Sequence, residues 1–425
     1  MDARKKYSEK RGPAKFQIKI YRLKHMSAQS SPKVTVVVPV YNVAKYLRAC
    51  MDAIVHQTLT DIQIICVNDG SSDESLSILR EYEAKDGRIF IIDKTNGGIS
   101  SARNAAFPHI RGKYTLFVDS DDIVDLEVAR KTYYRAEETQ ADMVVFYHDI
   151  RHDGSVYTKT NKNLDCLPIG VFDTLEDRFE KVGLEYTYPW CKLLKTSCFL
   201  DNGIVFPEGL VFEDLSFHWM MLVSVERIAV LPERLYHYQR HPGSISAVKN
   251  HRHLDMIAIF DVIRDFLVEK GLFTGWMKDF YVRTRVQTFG ALCGPPYRNR
   301  LGLLPRHFAA KIRAAFTEED IRFLQNDKTL RTTTRNDLYE LMGMSMPAKV
   351  FNVARTLIRG LVRPIERRLK AVLFRKKMKG DHVMHLRVRE LSDIVCRLSE
   401  ECVALRGERE AEKHLSMERI TKRAA

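Results

Sequence analysis

Two short clusters of acids carry the first chemical signal in this chain. Asp119-Ser120-Asp121-Asp122 directly follows the apolar run Tyr114–Val118. Two carboxylates one residue apart at a strand end can hold Mn2+ or Mg2+ against phosphate oxygens. The same acids could instead cap a helix beginning near Asp125. Further on, Glu213-Asp214 opens a helical pattern after the glycine-containing stretch Pro207–Phe212. A carboxylate there can take a proton from an attacking hydroxyl, or merely complement the positive end of the helix dipole. A third cluster, Tyr236–Ser246, sets Arg240, His241 and Ser244 among aromatic residues. Arg240 and Ser244 suit phosphate; His241, or less readily His237, could join a metal shell or simply pack. Trp190 reads equally as a sugar-stacking platform or a core aromatic.

Such side chains work only if the backbone brings them together, and the hydropathy pattern says how. Apolar runs at Val34–Val40, Ile62–Val67, Ile89–Ile92, Tyr114–Val118 and Met143–Tyr147 alternate with amphipathic helical patterns at 46–56, 74–84, from 101, and 126–138. Short apolar strands alternating with helices predict β-α-β units in an open, mostly parallel α/β sheet. Ligands of such sheets bind at the carboxyl ends of the strands. Tyr41-Asn42, Asn68-Asp69-Gly70 and Asp119-Ser120-Asp121 each directly follow a predicted strand, so all three should meet on one rim. Residues 150–250 are less regular, 251–345 read mainly as helices, and no internal repeat is present.

Four segments in order make the chain recognisable: Val36–Asn42 (VVVPVYN), Val67–Asp73 (VNDGSSD), Asn96–Asn104 (NGGISSARN) and Phe117–Asp122 (FVDSDD). Together they resemble the family-2 glycosyltransferases of the GT-A fold, in particular the bacterial cell-surface polysaccharide type, over residues 33–245. The resemblance implies a UDP-sugar donor and a metal-dependent, inverting transfer to a hydroxyl of a glycan or lipid-linked acceptor. It implies that Pro39 and Tyr41 line the base pocket, that Asp69 accepts a hydrogen bond from uracil, and that Arg103 lies near base and diphosphate. The acid usual before Asp69 is Asn68 here. By the same resemblance Asp119 contacts ribose and metal, Asp121 is the principal metal ligand, and Asp214 is the base, oriented by Glu213. Arg240 and Ser244 then belong to a loop over the diphosphate, with His241 completing the metal shell.

Charge divides the chain further. Of a net +14, residues 1–31 hold +7 and 349–380 hold +10, while 381–425 is balanced, leaving 32–348 at −3. A nearly neutral body with basic flanks fits an anionic surface rather than a nucleic-acid groove. Apolar residues at helical spacing from Val350 to Leu373, opposite a row of arginines, predict an interfacial helix interrupted at Pro364. Met384–Leu405 carries a heptad seam that could join subunits into a homo-oligomer or pack within one chain. The expected division is a basic arm (1–31), a nucleotide-sugar domain (32–248), a helical domain (249–348), the basic helix (349–380) and a helical tail (381–425), with Met26 an alternative start. Eight scattered cysteines without a CxxC pair, and no apolar run of spanning length, predict a cytoplasmic chain, peripheral on the inner membrane face. Rival readings are a nucleotidyltransferase, disfavoured because Pro39–Asn42 replaces a glycine-rich loop, and a degenerate scaffold, which would not need Asp119, Asp121 and Asp214. No GxGxxG follows the first strand, which argues against a dinucleotide-binding dehydrogenase.

Overall fold

The computed structural model describes residues 31–152, 155–156, 167–183, 186–241, 251–293 and 306–326, with 338 and 341. The basic arm up to residue 30, the basic helix, the heptad segment and Ser244 lie outside the described residues. The sheet is built around β1 (Val34–Val40), all seven residues of which are buried. Its neighbour β2 (Ile62–Asp69) is buried along all eight. Continuous burial, rather than alternation, follows from helices covering both faces. β1 runs parallel to β2 on one side and to β4 (Tyr114–Phe117) on the other, and β2 pairs parallel with the edge strand β3 (Ile89–Lys94). The crossovers are α1 (Ala44–Val55), α2 (Ser75–Glu83) and α3 (Ile99–Ala106). On α1 the buried residues are Leu47, Cys50, Met51, Ala53 and Ile54, one stripe at helical spacing.

Beyond β4 the sheet becomes mixed. After β5 (Ile123–Val124), α4 (Val128–Thr139) leads into β6 (Met143–His152). β7 (Ser155–Val156) pairs with β6, and β8 (Val171–Phe172) with β10. The short β9 (Lys192–Lys195) inserts antiparallel between β4 and β6, with Leu116 opposite Leu193 and Met143 opposite Leu194. β10 (Ile228–Arg240) runs parallel to β6, and its outer half meets β5 antiparallel. The order is β3-β2-β1-β4-β9-β6-β10-β5. The open α/β sheet expected from the sequence is therefore present, with one strand the hydropathy pattern did not reveal wedged into its centre.

Helices cover the sheet and continue past it. After α5 (Thr196–Leu200), the apolar α6 (Glu213–Ser224) buries Phe217, Trp219 and Met221. Phe217 stacks on Phe206 at 4.0 Å, and Trp219 meets Phe280 at 5.7 Å. Phe280 belongs to α8 (Gly275–Leu292), which follows α7 (Asp255–Glu269); α9 (Arg306–Ala315) and α10 (Glu318–Asn326) complete the described helices. Phe260 on α7 packs on Tyr281 of α8, and buried Arg285 pairs with buried Asp320.

Candidate active site

The carboxyl ends of β1, β2 and β4 do form one rim, and its loops are stitched to one another. Asn42 adopts φ +51°, and its N–H donates to Ser71 Oγ at 3.1 Å. Its side-chain oxygen in turn accepts from the Ser72 N–H at 2.8 Å. The Ala44 N–H donates to Asp73 Oδ2 at 3.0 Å. Between these loops Pro39 is buried in β1, while the Tyr41 ring stands 50% exposed at the mouth. Gly70 turns the chain at φ +71°, and a Cβ there would lie 2.7 Å from the Asn96 nitrogen. Only glycine satisfies both demands.

Asp69, which the resemblance sets to accept a hydrogen bond from uracil, already has partners within the protein. Its side chain is 3% exposed, and Oδ1 already accepts from Lys94 Nζ at 2.6 Å and from the Gly97 N–H at 3.0 Å. Oδ2 accepts from the Gly98 N–H at 2.8 Å. In this structure Asp69 fastens the 94–98 loop to the end of β2. The amide of Asn68, in the place of the usual acid, donates to Asp93 at 2.7 Å.

The aspartate cluster is divided by role. Asp122 is 1% exposed and accepts from the Tyr236 hydroxyl at 2.6 Å and the Gln239 N–H at 2.7 Å. Burial, then the charges of Asp121 and Asp119, push its carboxyl well up. The Tyr236 oxygen also accepts the Asp119 N–H at 3.1 Å, so β10 pins the backbone of this loop. Asp122 is a strut. Asp119 and Asp121 are left toward the rim: Asp119 Oδ1 accepts from Arg103 at 2.8 Å, and Asp121 Oδ2 lies 2.8 Å from His241 Nε2. The His241 ring stacks on Tyr46 at 4.6 Å, which orients it. His237, by contrast, pairs with Asp149 at 2.9 Å on β6. The helix-cap alternative fails, because β5 and Asp125 separate these acids from α4 at Val128.

Those residues suit a divalent cation. Burial first, and then Asp119, raise the Asp121 carboxyl above its ordinary range despite His241. Among the described residues no three acid, histidine or cysteine groups form a complete cage. One or two carboxylates plus substrate phosphates is how Mg2+ is commonly bound.

Arg103 connects this cluster to the second acid pair. Expected beside base and diphosphate, it is 2% exposed, lies over the Phe206 ring at 5.1 Å, and donates to both Asp119 and Glu213, the latter at 2.9 Å. Its Nε is buried without a partner. Asn104 beside it clamps the 206 backbone, donating to the Phe206 carbonyl at 2.8 Å and accepting its N–H at 2.9 Å. Phe212 precedes the acids at φ +70°, a strained turn for a bulky residue. Glu213 and Asp214 then sit in the first turn of α6, where the dipole favours them. Burial raises both carboxyls, opposed chiefly by Arg103.

The sequence assigns no role to one further residue, Lys192, and leaves Trp190 between two. Lys192, 2% exposed, donates through Nζ to the carbonyls of Tyr186 and Tyr188, and burial lowers its pKa to about 8. Trp190 is 5% exposed and lies between Tyr188 (4.7 Å, 14°) and Tyr236 (4.3 Å, 19°). Trp190 is a core aromatic. Arg240, at the end of β10, is exposed.

Known proteins with this organisation are numerous. The Glycosyl transferase family 2 model matches residues 35–201. The glycosyltransferase GlyA of Streptococcus pneumoniae serotype 4 is 36% identical over 228 residues, which are 51% of this chain and 32% of that protein. EpsJ of Bacillus subtilis, an uncharacterized glycosyltransferase, is 34% identical over 51% of this chain and 64% of its own length. Of both, the chain spans less than two thirds. The S. pneumoniae glycosyltransferase GlyG is 31% identical over 222 residues, covering 51% of this chain and 73% of that protein. Among solved structures, S. aureus TarS 1–349 in complex with UDP aligns with a TM-score of 0.54 at 18% identity, over 73% of this chain and 90% of that one. The fold is thus that of a GT-A glycosyltransferase, and with the four rim motifs, the family match and a relative covered over most of its length, the chain belongs to glycosyl transferase family 2.

Proposed function

We propose that this protein is an inverting, metal-dependent glycosyltransferase that moves a sugar from a UDP-sugar to a hydroxyl of a glycan or lipid-linked acceptor in cell-surface polysaccharide synthesis. The observation that carries the reading is Arg103, shared between Asp119 on the donor rim and Glu213 beside Asp214. One buried cation thereby fixes the spacing between a carboxylate that would meet the donor and a carboxylate that would meet the acceptor.

In this reading Tyr41 and Pro39 flank the base, with Asp69 holding the loop that shapes the slot. Asp121 and Asp119, with His241 beside them, would hold Mn2+ or Mg2+, which when bound neutralises charge on the departing diphosphate. Arg240 adds a cation at the same mouth. Asp214 takes the proton of the acceptor hydroxyl as it attacks opposite the leaving group. A raised pKa suits that task, because a stronger base accepts the proton more readily near neutral pH. The UDP bound in the TarS structure supports the choice of nucleotide. The Poly(ribitol-phosphate) beta-glucosyltransferase of Bacillus spizizenii, 32% identical over 215 residues, supports a polymer as the acceptor.

The test is thermal shift with UDP and Mn2+, followed by a UDP-sugar turnover screen. Asp121→Ala should abolish the metal-dependent shift. Asp214→Ala should keep the shift and lose turnover; wild-type transfer by that variant would remove Asp214 as the base.

A further inference from the structure

Tyr188 is the most exposed ring of the central aromatic stack, in which Tyr238 also lies on Trp190 at 5.8 Å. Tyr188 is 38% exposed, whereas Trp190 and Tyr236 behind it are 5% and 0% exposed. The three rings lie nearly parallel in the order Tyr188, Trp190, Tyr236, with spacings of 4.7 and 4.3 Å. The inner end of the stack is anchored by the Tyr236 hydroxyl, which bridges the Asp119 N–H and Asp122. The outer end is anchored by the buried Lys192 ammonium on the Tyr188 carbonyl. Lys192 thus holds the backbone of Tyr188, and the stack on Trp190 orients its ring. Burial first, and then Asp214, raise the pKa of its phenol, with Arg240 opposing them.

Granting the proposed function, we infer that Tyr188 is the acceptor platform and that the acceptor presents a pyranose ring. A pyranose in its chair form has a nonpolar face of axial C–H groups, which complements the negative face of an aromatic ring. Seated there, the sugar would turn its edge hydroxyls outward, where Asp214 can reach one. An acyclic polyol phosphate has no flat apolar face and gains little from this ring. A platform oriented in advance also lowers the ordering cost of acceptor binding.

Saturation-transfer NMR on the full chain with excess UDP tests the inference, using methyl β-D-glucopyranoside and ribitol 5-phosphate as probes. The glucoside should show transfer to its ring C–H protons, and ribitol 5-phosphate should show little. Tyr188→Ala should weaken glucoside binding about three- to tenfold, while Tyr188→Phe, which keeps the ring, should retain it. Thermal unfolding of each variant checks that the fold is intact. The inference is overturned if the glucoside fails to bind the wild type, if Tyr188→Ala binds it with unchanged affinity, if Tyr188→Phe weakens it as much as Tyr188→Ala, or if ribitol 5-phosphate binds as well. UDP signals in the same spectra separate the two levels. Their presence without a pyranoside preference sinks only the platform, and their absence sinks the donor reading along with it.

Discussion

On the proposed function, Asp214 and Arg103 set the chemistry at the scale of single residues. Burial raises the Asp214 carboxyl while Arg103 pulls it back, and the balance lies above the ordinary value. A base acts only when ionised, so transfer should fall as pH drops through that raised pKa. The acid limb of the kcat/KM profile should therefore lie above the usual aspartate value of about 3.9. Asp214→Asn should cost about 10²–10⁴-fold in kcat with the UDP thermal shift unchanged. Arg103→Met would strand Glu213 in a buried site and release Asp119, an expected loss of about 3–5 kcal/mol by urea unfolding. The acids themselves were legible in the sequence, because strand ends and a helix start flagged them. The clamp was not, since Arg103 and Glu213 are 110 residues apart and nothing local marks the pair. Lys192 and Tyr236 stayed hidden for the same reason, and Trp190 could be placed in the core only once its neighbours were known.

Elements carry a second set of consequences. On α6, His218 is fully enclosed, with Nε2 on the Gly183 carbonyl at 2.7 Å and Nδ1 lacking a partner. Burial, then Lys192, hold its pKa well below the usual histidine value. The folded state thus keeps His218 neutral, while the unfolded chain protonates it below about pH 6.5. Stability should be unaffected above that pH and decline as pH falls below it. In His218→Asn, unfolding midpoints measured from pH 7.5 to 5 should slope less steeply than in the wild type. At the end of β2, Gly70→Ala meets both positive φ and the Asn96 nitrogen. It should cost at least about 1–2 kcal/mol and weaken UDP binding through the displaced 94–98 loop. β1 through β4 were legible because each is a β-branched or apolar run ending in a polar motif. β9 was not, being four residues, Lys-Leu-Leu-Lys, too short for a period to show.

For the whole molecule, the +14 charge lies on flanks outside the described residues, and among the described residues no helix is long and apolar enough to cross a membrane. Peripheral docking through 349–380 remains our proposal. Flotation of the full chain should recover more protein with anionic than with neutral vesicles, and equal recovery would remove the idea. The topology has a consequence for biosynthesis. Among the described residues β4 and β6 are joined only through β9, which is translated about forty residues after β6. Until Lys195 has left the ribosome, the nascent chain holds a parallel half-sheet ending on β4 and a separate strand β6, each with an unpaired edge open to other chains. Late, non-local closure of this kind slows folding and prolongs that exposure. A polypeptide halted anywhere between 150 and 190 should therefore aggregate or recruit chaperones, whereas release beyond β10 closes the seam and removes the hazard.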